Sequence, residues 1–254
     1  MAITVNSKKK QVKKTFQELI NDLMTSSSEK VRYNAARVLG EMGDSKDVEP
    51  LIDVLKNDKN GSVSLYAARA LGRLGGKIVV EPLVEALNDE NSQVCITATD
   101  ALIEIGDVAT DALMNSLDHE KVNVRCDATR ALGEIGNKKC VDKIINMLYD
   151  EWVNVRIYAV TSLGKLNDKK AVPALIDVMK NRSENDLVRA GAAAALGVLR
   201  DQRALLPLRE LIMEAEELGE LEDTALKSFK KIMAANWQAI PGATQQKKPA
   251  GTSV

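Results

Sequence analysis

Few side chains in this chain of 254 residues could carry chemistry on their own. There is one histidine, His119, followed directly by Glu120. A serine or cysteine nucleophile needing an imidazole base would have to use it, and nothing in the sequence sets a nucleophile beside it. Cys95, Cys126 and Cys140 are dispersed and form no CxxC pair. Neither a zinc site nor a disulfide framework is therefore expected. No glycine-rich phosphate loop is present. Glu41, Glu104 and Glu134 each fall at one register of the repeat described next, which suits a solvated stripe rather than an acid–base pair. No catalytic residue, metal ligand or cofactor is assigned. The remaining candidates are tyrosines, a tryptophan and arginines, the side chains that most often anchor protein interfaces.

These candidates sit on a repeated element. Val31-Arg-Tyr-Asn-Ala-Ala-Arg-Val-Leu-Gly-Glu-Met-Gly43 returns in register from Val63, Val94, Val124, Val155 and Val188, at spacings of 32, 31, 30, 31 and 33 residues. A weaker copy starts at Leu221. Between copies lie segments such as Val48-Glu-Pro-Leu-Ile-Asp-Val-Leu55 and Val172-Pro-Ala-Leu-Ile-Asp-Val-Met179, apolar at i, i+3, i+4 and i+7. Both patterns predict amphipathic helices. Gly43, Gly75, Gly106 and Gly136 are expected to end the second helix of each repeat. Asp58, Asp89, Asp118 and Asp150 are expected to turn the chain and cap the next second helix. A helix pair buries both apolar faces only by stacking on neighbours, so about seven pairs share one core. Aromatic residues make up only 3% of the chain, so that core is aliphatic.

The VRxxAAxALGxIG pattern, at a period of about 31 residues, resembles the short HEAT-like repeats named after phycobilisome lyases. The resemblance covers nearly the whole chain. It implies an all-α fold, an α-solenoid (right-handed superhelix) of about seven HEAT-like hairpins whose second helices line a concave surface. The expected organisation is a flexible N-terminus over 1–7, a single solenoid over 8–237 and a disordered tail over 238–254. Some HEAT-like hydroxylases build a di-iron site from several His-Glu pairs, and the single His119-Glu120 pair is too few. HEAT-like DNA glycosylases use a concave face rich in Lys and Arg. Here Asp100, Glu104, Asp127 and Glu134 interrupt it.

Helix geometry sorts the motif. With the motif Val as position 0 and about 100° per residue, positions 0, 4, 5, 8 and 11 share a core face. Positions 2, 3, 6 and 10 point away from it. They carry Tyr33, Tyr66 and Tyr158, and Arg37, Arg69, Arg73 and Arg130, with Trp152 just ahead of a second helix. These eight residues are the expected partner-binding set. The aliphatics at position 2 either join that face or pack against neighbouring repeats. Arg37–Glu41 and Arg130–Glu134 have the spacing of surface ion pairs, whereas Arg69 and Arg73 have no acidic residue at that spacing. The arginine after the motif Val (Arg32, Arg125, Arg156, Arg189) is expected to pair with carboxylates or carbonyls of the turns.

Net charge is −1, which gives no global pull toward nucleic acid or membrane. Over the first forty residues, Lys and Arg outnumber Asp and Glu by five. Lys8, Lys9, Lys10, Lys13 and Lys14 could touch nucleic acid or an acidic partner. Glu214, Glu216, Glu217, Glu220, Glu222 and Asp223 form an acidic counterpart that would permit head-to-tail association. The N-terminus lacks the apolar stretch of a secretory signal and no apolar run reaches membrane-spanning length, so a cytoplasmic protein is expected. The functional expectation is a non-catalytic protein–protein interaction scaffold or assembly factor holding a partner on its concave face. The name-giving members of the repeat type imply an alternative, a lyase- or chaperone-like factor in cofactor or enzyme maturation. The basic N-terminal helix leaves open a nucleic-acid- or ribosome-associated role.

Overall fold

The computed structural model describes residues 14–44, 48–214 and 219–238. Lys8, Lys9, Lys10, Lys13, Glu216, Glu217 and the tail from 239 onward lie outside the described residues. The chain divides into two compact units that meet at Ile135 and Gly136.

The N-terminal unit holds four hairpins. They are α1 (Phe16–Thr25) with α2 (Glu29–Met42), α3 (Val48–Asn57) with α4 (Gly61–Leu74), α5 (Val80–Glu85) with α6 (Ser92–Ile105), and α7 (Thr110–Ser116) with α8 (Val122–Ile135). The C-terminal unit pairs α9 (Val141–Met147) with α10 (Val153–Leu166), α11 (Val172–Lys180) with α12 (Asp186–Leu199), and α13 (Leu205–Glu214) with α14 (Glu220–Gln238). The described residues form no sheet, and no helix among them is long and apolar enough to cross a membrane.

The motif explains the second helices residue by residue. In α4, Val63, Ala67, Ala68 and Leu71 are completely buried, as expected of positions 0, 4, 5 and 8. A leucine so placed is stabilised by roughly 1.5–3 kcal/mol relative to an exposed one. Position 11 is less buried than its periodicity suggests. Met42, Leu74, Ile105 and Ile135 are half-buried, while Leu166, Leu199 and, in the weaker copy, Ile232 are buried. Position 7 is buried in all six full copies, from Val38 to Ala195, although the helical face does not require it. For Ala70 and Ala101 the reason is the glycine of the preceding repeat. A Cβ added to Gly40 would lie 2.6 Å from Ala70 Cβ, and one on Gly72 would lie 2.6 Å from Ala101 Cβ. Position 9 glycine therefore receives position 7 of the next repeat, and the two backbones approach closely.

The helix ends follow the expected chemistry at the C-terminus and a different one at the N-terminus. Gly43, Gly75, Gly106 and Gly136 have φ of 72°, 66°, 72° and 78°. Asn167 and Arg200 take the corresponding left-handed positions without being glycine. The aspartates are not the N-caps. Asn60, Asn91 and Asn185 cap α4, α6 and α12, each accepting a hydrogen bond from the second helical N–H. Asp58 and Asp89 act two residues earlier, accepting from the N–H of Asn60 and Asn91 at 2.9 and 2.7 Å. Asp150 does the same for Trp152 at 2.9 Å. The aspartate sets the turn and the asparagine caps the helix, because each acceptor reaches an N–H two residues ahead.

Candidate partner-binding face

The arginine at position 1 belongs to the frame. Arg32 Nε and Nη2 donate to the Asp58 carboxylate at 2.6 and 3.0 Å, and Nη1 donates to Ser26 O at 2.9 Å. Burial pushes the Asp58 carboxyl up, but the bonds from Arg32 and the Asn60 N–H outweigh it and hold the group below its ordinary range. Arg125 donates to His119 O and Glu120 O at 2.8 and 3.0 Å. Arg156 donates to Asp150 O and Glu151 O and reaches Glu184 at 2.8 Å. Arg189 donates to Met179 O at 3.1 Å. All four guanidinium groups tie turn carbonyls or carboxylates, as the sequence predicts, so none is left for a partner. Cys95 replaces this arginine in its own repeat, and its thiol donates to Asp89 O at 3.2 Å.

His119 also belongs to the frame. Its Nδ1 accepts the Lys121 N–H at 3.0 Å, which is the role Asp58 and Asp89 play in their turns. It is half-buried rather than fully solvated. The three cysteines are buried thiols, and burial pushes Cys140 up to about 11, far from a reactive thiolate. Among the described residues, no group of three His, Cys, Asp or Glu side chains could hold a metal ion.

On the N-terminal unit, positions 2, 3, 6 and 10 divide into two zones. The first lies on α2 and α4. Tyr33 and Tyr66 stack across these helices, with ring centroids 5.1 Å apart and planes inclined by 21°. Each ring is half-buried, and neither hydroxyl has a hydrogen-bond partner among the described residues. Position 2 of one repeat thus meets position 3 of the next, a contact that a single-helix wheel cannot reveal. Arg37 is tied to Glu41 at 2.7 Å, as its spacing predicts. Arg69 and Arg73 are exposed and have no ion pair or hydrogen bond among the described residues.

The second zone lies on α6 and α8. Arg130 donates from both terminal nitrogens to Asp100 Oδ1 at 3.3 Å, so it reaches back across the helix boundary. Glu104 is exposed. Asp127 is half-buried and accepts no hydrogen bond among the described residues. Burial pushes its carboxyl up, Arg130 opposes that, and Asp100 adds to it. The position-2 and position-3 residues here are partly core: Cys126 and Thr97 are buried, while Ile96 is 44% exposed.

On the C-terminal unit the same positions are mostly apolar. Trp152 occupies the N-cap of α10 without a side-chain cap and is 53% exposed. Tyr158 is 38% exposed, Val198 is 48% exposed, and Ala194 lies at position 6. Tyr149, 64% exposed in the turn before α10, was missed by the motif because it falls outside the repeated segment. The expected site residues thus lie as Tyr33, Arg37, Tyr66, Arg69, Arg73 and Arg130 on one unit and Trp152 and Tyr158 on the other.

The sequence pattern of the HEAT repeats matches residues 16–103, 48–121, 80–154, 110–197 and 141–228. The chain is a HEAT-repeat protein. Solved structures with the same fold include YibA of Escherichia coli, at 21% identity over 84% of this HEAT-repeat chain and 82% of that one, with a TM-score of 0.51. The complex of CpcE and CpcF of phycocyanin lyase from Nostoc sp. PCC7120 matches at 21% identity over 91% and 99% of the two chains, with a TM-score of 0.47. Human deoxyhypusine hydroxylase in complex with glycerol matches at 20% identity over 86% and 84%, with a TM-score of 0.45. At these identities the likeness concerns the fold alone. No curated protein sequence matches the chain.

Proposed function

We propose that this HEAT-repeat protein is a non-catalytic scaffold or assembly factor of the cytoplasm that captures a protein or peptide segment on the face formed by its second helices. One observation carries the reading. Arg69 and Arg73 stand exposed and, among the described residues, unpaired beside the stacked Tyr33–Tyr66 pair, while every described arginine of the turns is engaged. Two exposed cations with no ion pair among the described residues, next to aromatic rings whose hydroxyls have no partner there, suit a recognition surface better than a stabilising one. The non-catalytic part is supported by the use made of the one histidine, whose Nδ1 is spent on a turn.

The test is affinity purification with the native host's extract, using the wild-type chain and the double variant Tyr66→Ala/Arg69→Glu. Arg69 is exposed and Tyr66 is only half-buried, so far-UV circular dichroism should show the variant folded. Mass spectrometry should find a partner retained by the wild type and lost by the variant. An unchanged set of co-eluting proteins with the folded variant would sink the proposal.

A further inference from the structure

We infer that the N-terminal unit recognises an extended, charge-polarised peptide, with carboxylates set on Arg69 and Arg73 and a Lys or Arg side chain set toward Asp127. The inference rests on the scaffold reading above and names the class of partner.

Opposite charges stand at the two ends of one row of helices. The α4 end presents Arg69 and Arg73, both exposed and unpartnered among the described residues. The α8 end presents Asp127, half-buried and without a hydrogen-bond donor among the described residues. Arg130 lies three residues on in the same helix, but both of its terminal nitrogens donate to Asp100 Oδ1 at 3.3 Å. The Asp127 oxygens are not sealed from water, so a half-buried carboxylate with no donor of its own can accept a charge-assisted hydrogen bond from an incoming ammonium or guanidinium.

The separation of the two ends sets the ligand's register. The α2–α4 and α4–α6 contacts are backbone-close, as the glycine positions show. Packed helix axes lie about 8–10 Å apart, so α4 to α8 spans about 16–20 Å. An extended chain covers about 3.3 Å per residue, which places the acidic and basic side chains about five to six residues apart. The Tyr33–Tyr66 stack, beside the arginines, offers a surface for an aromatic residue among the carboxylates. The same layout discriminates against a uniform polyanion. A nucleic acid strand attracted to Arg69 would run onto Asp100, Glu104 and Asp127 within two helices.

The probe is a fluorescein-labelled peptide of sequence Glu-Tyr-Glu-Gly-Ser-Gly-Lys-Arg, read by fluorescence polarisation at low and moderate salt. Its control has the same composition with Glu and Lys/Arg alternating. The polarised peptide should bind at least about tenfold tighter than the alternating one, and single-stranded RNA should bind more weakly than either. Arg69→Ala/Arg73→Ala should weaken the polarised peptide about tenfold. Asp127→Asn should weaken it by a similar factor while leaving an all-Glu peptide unaffected or tighter. Equal affinity for the two isomers, no binding at about 1 mM, or a folded Asp127→Asn chain that binds as the wild type does would each overturn the inference. If a host partner is captured through Tyr66 and Arg69 but the isomers bind alike, the scaffold reading stands and only the charge-polarised ligand falls.

Discussion

Two chemically identical substitutions, Gly40→Ala and Gly164→Ala, should change stability in opposite directions. Both glycines occupy position 9 of a second helix, and Ala in place of Gly inside a helix ordinarily stabilises by about 0.5–1 kcal/mol. At Gly164 the new Cβ would sit 3.5 Å from Ala195 Cα and Cβ, an ordinary contact, so the gain should be realised. At Gly40 the new Cβ would sit 2.6 Å from Ala70 Cβ and 2.7 Å from Ala70 Cα. Carbon atoms prefer about 3.5–4.0 Å, so α2 and α4 would have to separate by about 1 Å. Overpacking of this kind costs about 1–3 kcal/mol. Net destabilisation of about 1–2 kcal/mol is expected for Gly40→Ala and net stabilisation of about 0.5–1 kcal/mol for Gly164→Ala, from the same principles. Urea unfolding followed by circular dichroism reports both units. Tryptophan emission reports only the C-terminal one, because Trp152 and Trp237 both follow Gly136. If both variants shift in the same direction, interhelical contact at position 9 does not govern this stack.

Arg156→Met should destabilise the C-terminal unit by about 1.5–3 kcal/mol, measured in the same urea titrations. It leaves the Asp150 and Glu151 carbonyls without this donor and removes the ion pair of Glu184, whose side chain is only 10% exposed and keeps the Asn185 N–H. Asp201 supplies a pH test. Hydrogen bonds from the Arg203 side chain lower its carboxyl most, burial opposes them, and the group ends at about 2. A depressed carboxyl contributes stability that is fully present above its ordinary value of 3.8 and disappears as pH falls from there through about 2. Arg203→Met should therefore show a shallower loss of thermal stability across that window than the wild type, while a parallel loss would refute the coupling.

The repeat register, the helical hairpins and the left-handed stops at Gly43, Gly75, Gly106 and Gly136 were all legible in the chain, because each depends on residues within a turn or two of one another. So was the structural role of Arg32, Arg125, Arg156 and Arg189, since an arginine at one fixed register faces the same turn in every copy. The caps were misplaced by two residues because Asp and Asn can both satisfy an N–H ahead of them, and only the backbone path decides which N–H each one reaches. The candidate face was legible as a list of positions and not as a surface. A helix wheel treats Tyr33, Tyr66, Asp100 and Arg130 as outward residues of separate helices. Stacking brought Tyr33 onto Tyr66 and Arg130 onto Asp100, and among the described residues it left Arg69 and Arg73 without an ion pair and Asp127 without a hydrogen-bond donor. Whatever local periodicity governs can be read from the order of residues. Which outward side chains satisfy one another across neighbouring helices is set by packing, since that depends on the few ångströms by which glycine and alanine let two backbones approach.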